Sequence, residues 1–251
     1  MKKEDREKNR IIENALKEIV KSKIKQYKFR KRDYMIYMVK DNMIYGLFID
    51  SYIRETDSKP IVHSYIEYKP LWIDDLLWEI LDMKSNKNEP DSLRIMGAFT
   101  VPGMEYSDDT IEFDGNVDTL EKLIDGVFKN FENNISLLTN EKYIGNIKET
   151  GGKRVLSKAL VFIHENNYTE AKKILEEHKT EYSFIIGDKT SNELMLDYIN
   201  SLMWRIRIFD FELTEEMNKI AEINKNKSYY EPNPELVASY ATMEFKQELD
   251  V

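Results

Sequence analysis

A change of hydrophobic period near residue 30 limits what this chain can become more than any other feature. Ile11, Ile12, Ala15, Leu16, Ile19, Val20 and Ile24 recur mostly at three- and four-residue steps. That spacing lays one apolar stripe along a helix, so residues 5–26 are expected to be helical. The period then shortens. Residues 34–39 and 43–52 are aromatic and aliphatic runs separated by Asp41-Asn42, a tight-turn signal, and read together as a β-hairpin. Pro60 opens a third run, 61–68, whose β-branched and aromatic content suits a strand.

Helical spacing returns over 71–83, with Ile73, Leu76, Leu77, Ile80 and Leu81 on one stripe. Residues 93–99 are expected to form a fourth strand, broken by Val101-Pro102-Gly103, and 110–113 an edge strand. Asp118 and Glu121 have capping-box spacing ahead of a long helix that carries Leu120, Leu123, Ile124, Val127, Phe131, Ile135 and Leu138. Gly145, Gly151 and Gly152 lie in a polar stretch that is the best candidate boundary, giving an α+β domain over 1–145 and a helical domain over 150–251. Helices are expected at 153–166, 169–179, 191–209 and 214–226, and a last one at 235–248 after Pro232 and Pro234. The fold class is therefore α+β. A mainly antiparallel sheet of three to five strands, packed with helices, precedes an all-helical C-terminal domain.

Composition removes several chemistries. The 251 residues include no cysteine, which excludes disulfides, thiolate zinc sites and a cysteine nucleophile and suits a reducing cytoplasm. The charged N-terminus is followed by no apolar stretch of the length a signal peptide or membrane span requires, so the expectation is a soluble cytoplasmic protein with no membrane partner. With 46 acidic and 37 basic side chains the net charge is -9, which opposes nucleic acid over the surface as a whole. A basic cluster, Lys21, Lys23, Lys25, Lys28, Arg30, Lys31 and Arg32, reads as a solvated helix end whose cations suit the negative pole of the helix dipole. His63, His164 and His178 are the three histidines, and none is paired with another at zinc-ligand spacing. Asp74-Asp75, between Trp72 and Trp78, are acids early in a helix, where the dipole favours them without catalysis. Gly151-Gly152-Lys153-Arg154 lacks phosphate-loop spacing, and no nucleophile elbow or dinucleotide fingerprint occurs.

The segment from Lys158 to His178 reads as two short antiparallel helices whose small residues fall where the backbones must touch. Ala159, Phe162, Ala171 and Leu175 stand at the small, aromatic, small and large apolar positions of a tetratricopeptide repeat, which the segment resembles. Val155 stands where that family often has tryptophan, Lys158 where it prefers leucine and His178 where it prefers a small residue. No proline closes the unit near Ser183. A second copy around Ser201, Trp204 and Met217 is loose. The resemblance implies a protein or peptide partner and no activity.

The order helix, three strands, helix, strand over residues 5–99 resembles the core of PD-(D/E)XK nucleases. Asp50 falls near the end of the second strand, and Glu67-Tyr68-Lys69 ends the third as a Glu-x-Lys triplet. That resemblance implies that Asp50 and Glu67 hold magnesium, that Lys69 positions or activates water, and that Glu13 or Glu18 adds a carboxylate. Against it, Glu-x-Lys triplets recur at Glu170-Ala171-Lys172 and Glu244-Phe245-Lys246, and no proline precedes Asp50. The preferred expectation is a non-enzymatic interaction protein of a bacterial cytoplasm, without cofactor. An adaptor or an immunity-type inhibitor of a toxin is its concrete form, and the magnesium-dependent nuclease is the alternative.

Overall fold

In the computed structural model, the described residues are 3–151, 154–177, 185–186 and 189–209. The chain divides into two compact units, Met1–Lys153 and Arg154–Val251.

The first unit opens with α1 (Lys3–Tyr27), which buries Ile12, Leu16 and Val20. Its end is set by Lys28 in the left-handed region, after which the Phe29 amide returns to the Ile24 carbonyl at 3.1 Å. Five strands follow the order β1 (Arg30–Arg32), β2 (Met35–Lys40), β3 (Met43–Arg54), β4 (Lys59–Pro70) and β5 (Met104–Glu112). They form one sheet in sequence order, each strand antiparallel to the next. The β2–β3 turn is made by Asp41 and Asn42, both at positive φ, the geometry that matches strand twist in a two-residue hairpin.

Alternation gives the sheet two unlike faces. On one, Tyr45, Leu47, Ile66 and Tyr68 are buried, α1 and α5 (Asn140–Glu149) lie against it, and α4 (Val117–Ile135) packs beside α1. Phe29 packs edge-on to Phe131 at 5.2 Å, Tyr68 meets Tyr143 at 5.9 Å, and the Tyr45 hydroxyl donates to the Leu138 carbonyl at 3.1 Å. Burial, with Asp41 nearby, pushes the Tyr45 hydroxyl up to about 12. Among the described residues of the first unit, the other face is covered at one end, by α2 (Leu71–Ile80), a 3-10 turn at Lys84–Asn88 and α3 (Ser92–Met96).

Several local expectations are corrected. Residues 93–99 are not a strand: α3 ends at Met96, and the loop from Gly97 to β5 turns at Ala98 and Phe99, the latter at positive φ. Short apolar runs do not distinguish helix from strand, and here Arg94 turns inward to the Leu71 carbonyl and Asp75, which holds the segment as a helical turn. The edge strand is longer than 110–113. The cap of α4 is Asn116, whose side chain accepts from the Asp118 amide at 2.8 Å, two residues before the expected Asp118. The glycine-bearing stretch is mostly helix, because α5 carries Gly145 through to Glu149 and is anchored by buried Tyr143 and Ile147.

In the second unit, α6 (Val155–His164) and α7 (Tyr168–Glu177) form a hairpin, and α8 (Ser191–Phe209) packs on α7. Asn166, at positive φ, turns the chain, and Asn167 opens α7, its side chain accepting from the Glu170 amide at 3.3 Å. Ala159 and Ala171 are fully buried. The unit is not all-helical: β6 (Ile185–Ile186) pairs with β7 (Lys189–Thr190). Thr190 and Glu193 make a reciprocal capping box at the start of α8. The expected helices at 214–226 and 235–248 lie outside the described residues, as do His178, Ser183 and Met217 of the repeat comparison.

Candidate functional site

The half-open face of the sheet is where the residues with chemistry gather. Strand register puts Phe48 opposite Tyr65, Asp50 opposite His63 and Gly46 opposite Glu67. Because opposed residues share a face, all of these side chains belong to the face that carries Lys69.

The covered end is a buried polar knot. Lys69 Nζ lies 2.8 Å from Asp74 Oδ2 and also donates to the Val101 carbonyl. Asp74 Oδ1 accepts from the Val101 amide at 2.8 Å. Arg94 donates to the Leu71 carbonyl at 2.9 Å and to Asp75 at 2.7 Å, and its guanidinium lies 4.6 Å from the centre of the Trp78 ring. The Trp78 indole donates to the Phe99 carbonyl at 2.7 Å. Burial pushes the Asp74 carboxyl up, while Lys69, the Val101 amide and Arg94 pull it the other way. The knot ties the end of β4, α2, α3 and the loop before β5 into one piece. Acids early in α2 were legible as dipole partners, but the role of Asp74 depends on a lysine five residues back and a loop 27 residues ahead.

Next to the knot is an open recess of about 210 Å³ lined by Tyr34, Met35, Tyr65, Glu67, Met96 and Pro102, among others. Glu67 lies between two glycines: a Cβ on Gly103 would fall 2.8 Å from its Cδ, and one on Gly46 would fall 3.0 Å from its Cγ. A side chain at either position would push the Glu67 side chain from its place. Beyond it the face is aromatic. Phe48 stacks on Tyr65 at 4.9 Å, Tyr34 meets Phe48 edge-on at 5.7 Å, and His63 sits 5.6 Å from Phe48. Tyr34 is 55% exposed, while Phe48, His63 and Tyr65 are half-buried. His63 Nε2 and Asp108 Oδ1 are 2.7 Å apart. Burial first, and then Glu67, Glu105 and Asp108 among its neighbours, hold the Tyr65 hydroxyl above its usual range.

Of the expected nuclease residues, Asp50, Glu67 and Lys69 share this face, but the two carboxylates are not brought together. Asp50 and Glu67 are four register positions apart, about 13 Å along the strands, with the Phe48–Tyr65 stack between them. Oxygens sharing one magnesium each lie about 2.1 Å from it, so these two carboxylates cannot bridge one ion. Asp50 is exposed and accepts from the Ser51 amide at 2.8 Å, and Lys69 is committed to Asp74. Glu13 and Glu18 belong to α1, across the sheet, where Asn9 donates to Glu13 and Lys21 stands near Glu18. Among the described residues, no group of three or more histidine, aspartate or glutamate side chains could hold a metal ion.

Compared with family models, with curated proteins and with solved structures, the chain matches none. No helix among the described residues is long and apolar enough to cross a membrane.

Proposed function

We propose that the protein is a non-enzymatic binding protein and that its first unit holds a basic protein partner on the half-open face of the sheet. The observation that carries this reading is the aromatic strip of Tyr34, Phe48 and Tyr65 with His63, flanked by the carboxylates of Asp50, Glu67, Glu105 and Asp108. Aromatic side chains bring large contact area at low entropic cost and dominate interface hot spots, whereas flanking charge sets the encounter rate and the choice of partner. A net charge of -9 steers cationic proteins toward this molecule. An immunity-type inhibitor of a basic toxin, or an adaptor, is the concrete form.

The α6–α7 hairpin supports the same reading for the second unit. Its buried Ala159 and Ala171 permit the close helix approach of a tetratricopeptide-like pair, a scaffold for holding a protein or peptide.

The test is affinity capture from the native host by wild type and by a Phe48→Ala/Tyr65→Ala double variant, read by mass spectrometry. A basic protein retained by wild type, lost by the variant and released by moderate salt is the expected result. Identical captures by the two proteins would remove this face from the function.

A further inference from the structure

β5 pairs with β4 and has no strand beyond it among the described residues. Its nine residues are largely exposed. The Phe113 amide donates to the Pro60 carbonyl at 3.1 Å, and antiparallel ladders alternate. The backbone groups of Ser107, Asp109 and Ile111 therefore face β4. Those of Asp108, Thr110 and Glu112 face the open edge.

Beside this edge, between β5 and α4, runs a groove of about 540 Å³. Its floor and walls include Ile66, Ile111, Leu123 and Val127, with Asp109 and Lys122 at polar points. Gly126 adds to its width, since a Cβ there would meet nothing within 4 Å. The groove lies on the side of the sheet where the side chains of an added strand would alternate inward.

Resting on the binding reading above, we infer that the β5 edge takes up an extended segment of the partner as a sixth strand, one that alternates apolar and basic residues. Main-chain bonds to Asp108, Thr110 and Glu112 hold it, apolar side chains enter the groove, and cations on the other face meet Glu105 and Asp108. Charge decides the occupant. β5 carries Glu105, Asp108, Asp109 and Glu112 and no cation, so pairing with the same strand of a second copy would set acids against acids. Glu112 is already shared by Arg54 and Lys59, and one Asp108 oxygen lies 2.7 Å from His63, which leaves Glu105, Asp109 and the other Asp108 oxygen to meet the added strand.

The probe is a synthetic peptide of alternating lysine and valine, compared with a peptide of the same composition arranged in blocks. Backbone amide exchange of the full chain, with and without probe, reads the site. The alternating peptide should slow exchange at Asp108, Thr110 and Glu112. Thr110→Pro removes an edge-facing amide without touching the ladder to β4 and should weaken binding about tenfold, while Thr110→Val should not. Glu105→Lys/Asp108→Lys should also weaken it, which covers the case of a proline variant that fails to fold. Equal binding of the two peptides, unchanged exchange at those amides, or protection that depends on protein concentration alone would overturn strand addition, the last in favour of a second copy. A natural partner lost by Phe48→Ala/Tyr65→Ala but kept by Thr110→Pro leaves the binding face standing and removes the added strand. A partner kept by both removes both.

Discussion

Lys69 Nζ and Asp74 Oδ2 are 2.8 Å apart with side chains 3% and 0% exposed, and this pair joins the end of the longest hairpin to the helix that follows it. A buried ion pair is costly to form and more costly to halve, because the remaining charge has no water to turn to. Asp74→Leu is expected to lower stability by about 3–5 kcal/mol in urea unfolding. Adding Lys69→Met should recover part of that loss. The recovery stays incomplete, because the Val101 amide and carbonyl both lose partners, at about 1–3 kcal/mol for each buried group left unmade. A double variant no more stable than Asp74→Leu would show that the charge of Lys69 is not what the aspartate offsets.

At the far end of the same hairpin, Arg54 bridges Asp57 and Glu112, each at 2.6 Å, and Lys59 meets Glu112 at 2.7 Å. Bonds from Arg54 hold the Asp57 carboxyl below its usual range, and bonds from Lys59 and then Arg54 do the same for Glu112. A depressed folded-state value means that the unfolded chain binds protons first as the pH falls. The stabilisation is therefore complete above the ordinary carboxylate range and lost as pH drops through it toward the lowered values. Thermal melts of wild type and Arg54→Met should differ at neutral pH and converge in acid. A constant gap across that range would contradict the assignment.

Asn42 holds positive φ in the β2–β3 turn, and its carbonyl accepts from the Leu71 amide at 2.9 Å. A β-branched side chain adopts that backbone at a cost of about 1–2 kcal/mol. Asn42→Val should destabilise the first unit by that amount, and Asn42→Gly should leave it unchanged or slightly more stable, as denaturant midpoints would show.

Ala171 is fully buried in the α6–α7 hairpin. Ala171→Leu should overpack it and cost about 1–3 kcal/mol. A thermal melt unaffected by this substitution would mean that the helices do not close on that residue.

Elements whose evidence is local were readable in the chain itself. Ile12, Leu16 and Val20 mark the buried stripe of α1 because a 3.6-residue period is a property of one segment, and Asp41-Asn42 marks its turn because left-handed backbone favours those residues. The β2–β3 hairpin, the strand after Pro60, the long α4 and the α6–α7 pair follow from the same kind of signal. Other features needed three dimensions. Residues 93–99 have an apolar pattern fit for strand or helix, and the contact of Arg94 with Asp75 and Trp78 decided between them. Gly145 looked like a break, yet buried Tyr143 and Ile147 hold it within α5. Asp50, Glu67 and Lys69 carry the residue types of a metal site, but strand register alone determines which residues stand opposite one another. Register separates the two carboxylates by four positions and leaves the lysine to Asp74. Side-chain chemistry is written residue by residue, whereas proximity between distant residues comes from pairing and packing that no single segment encodes.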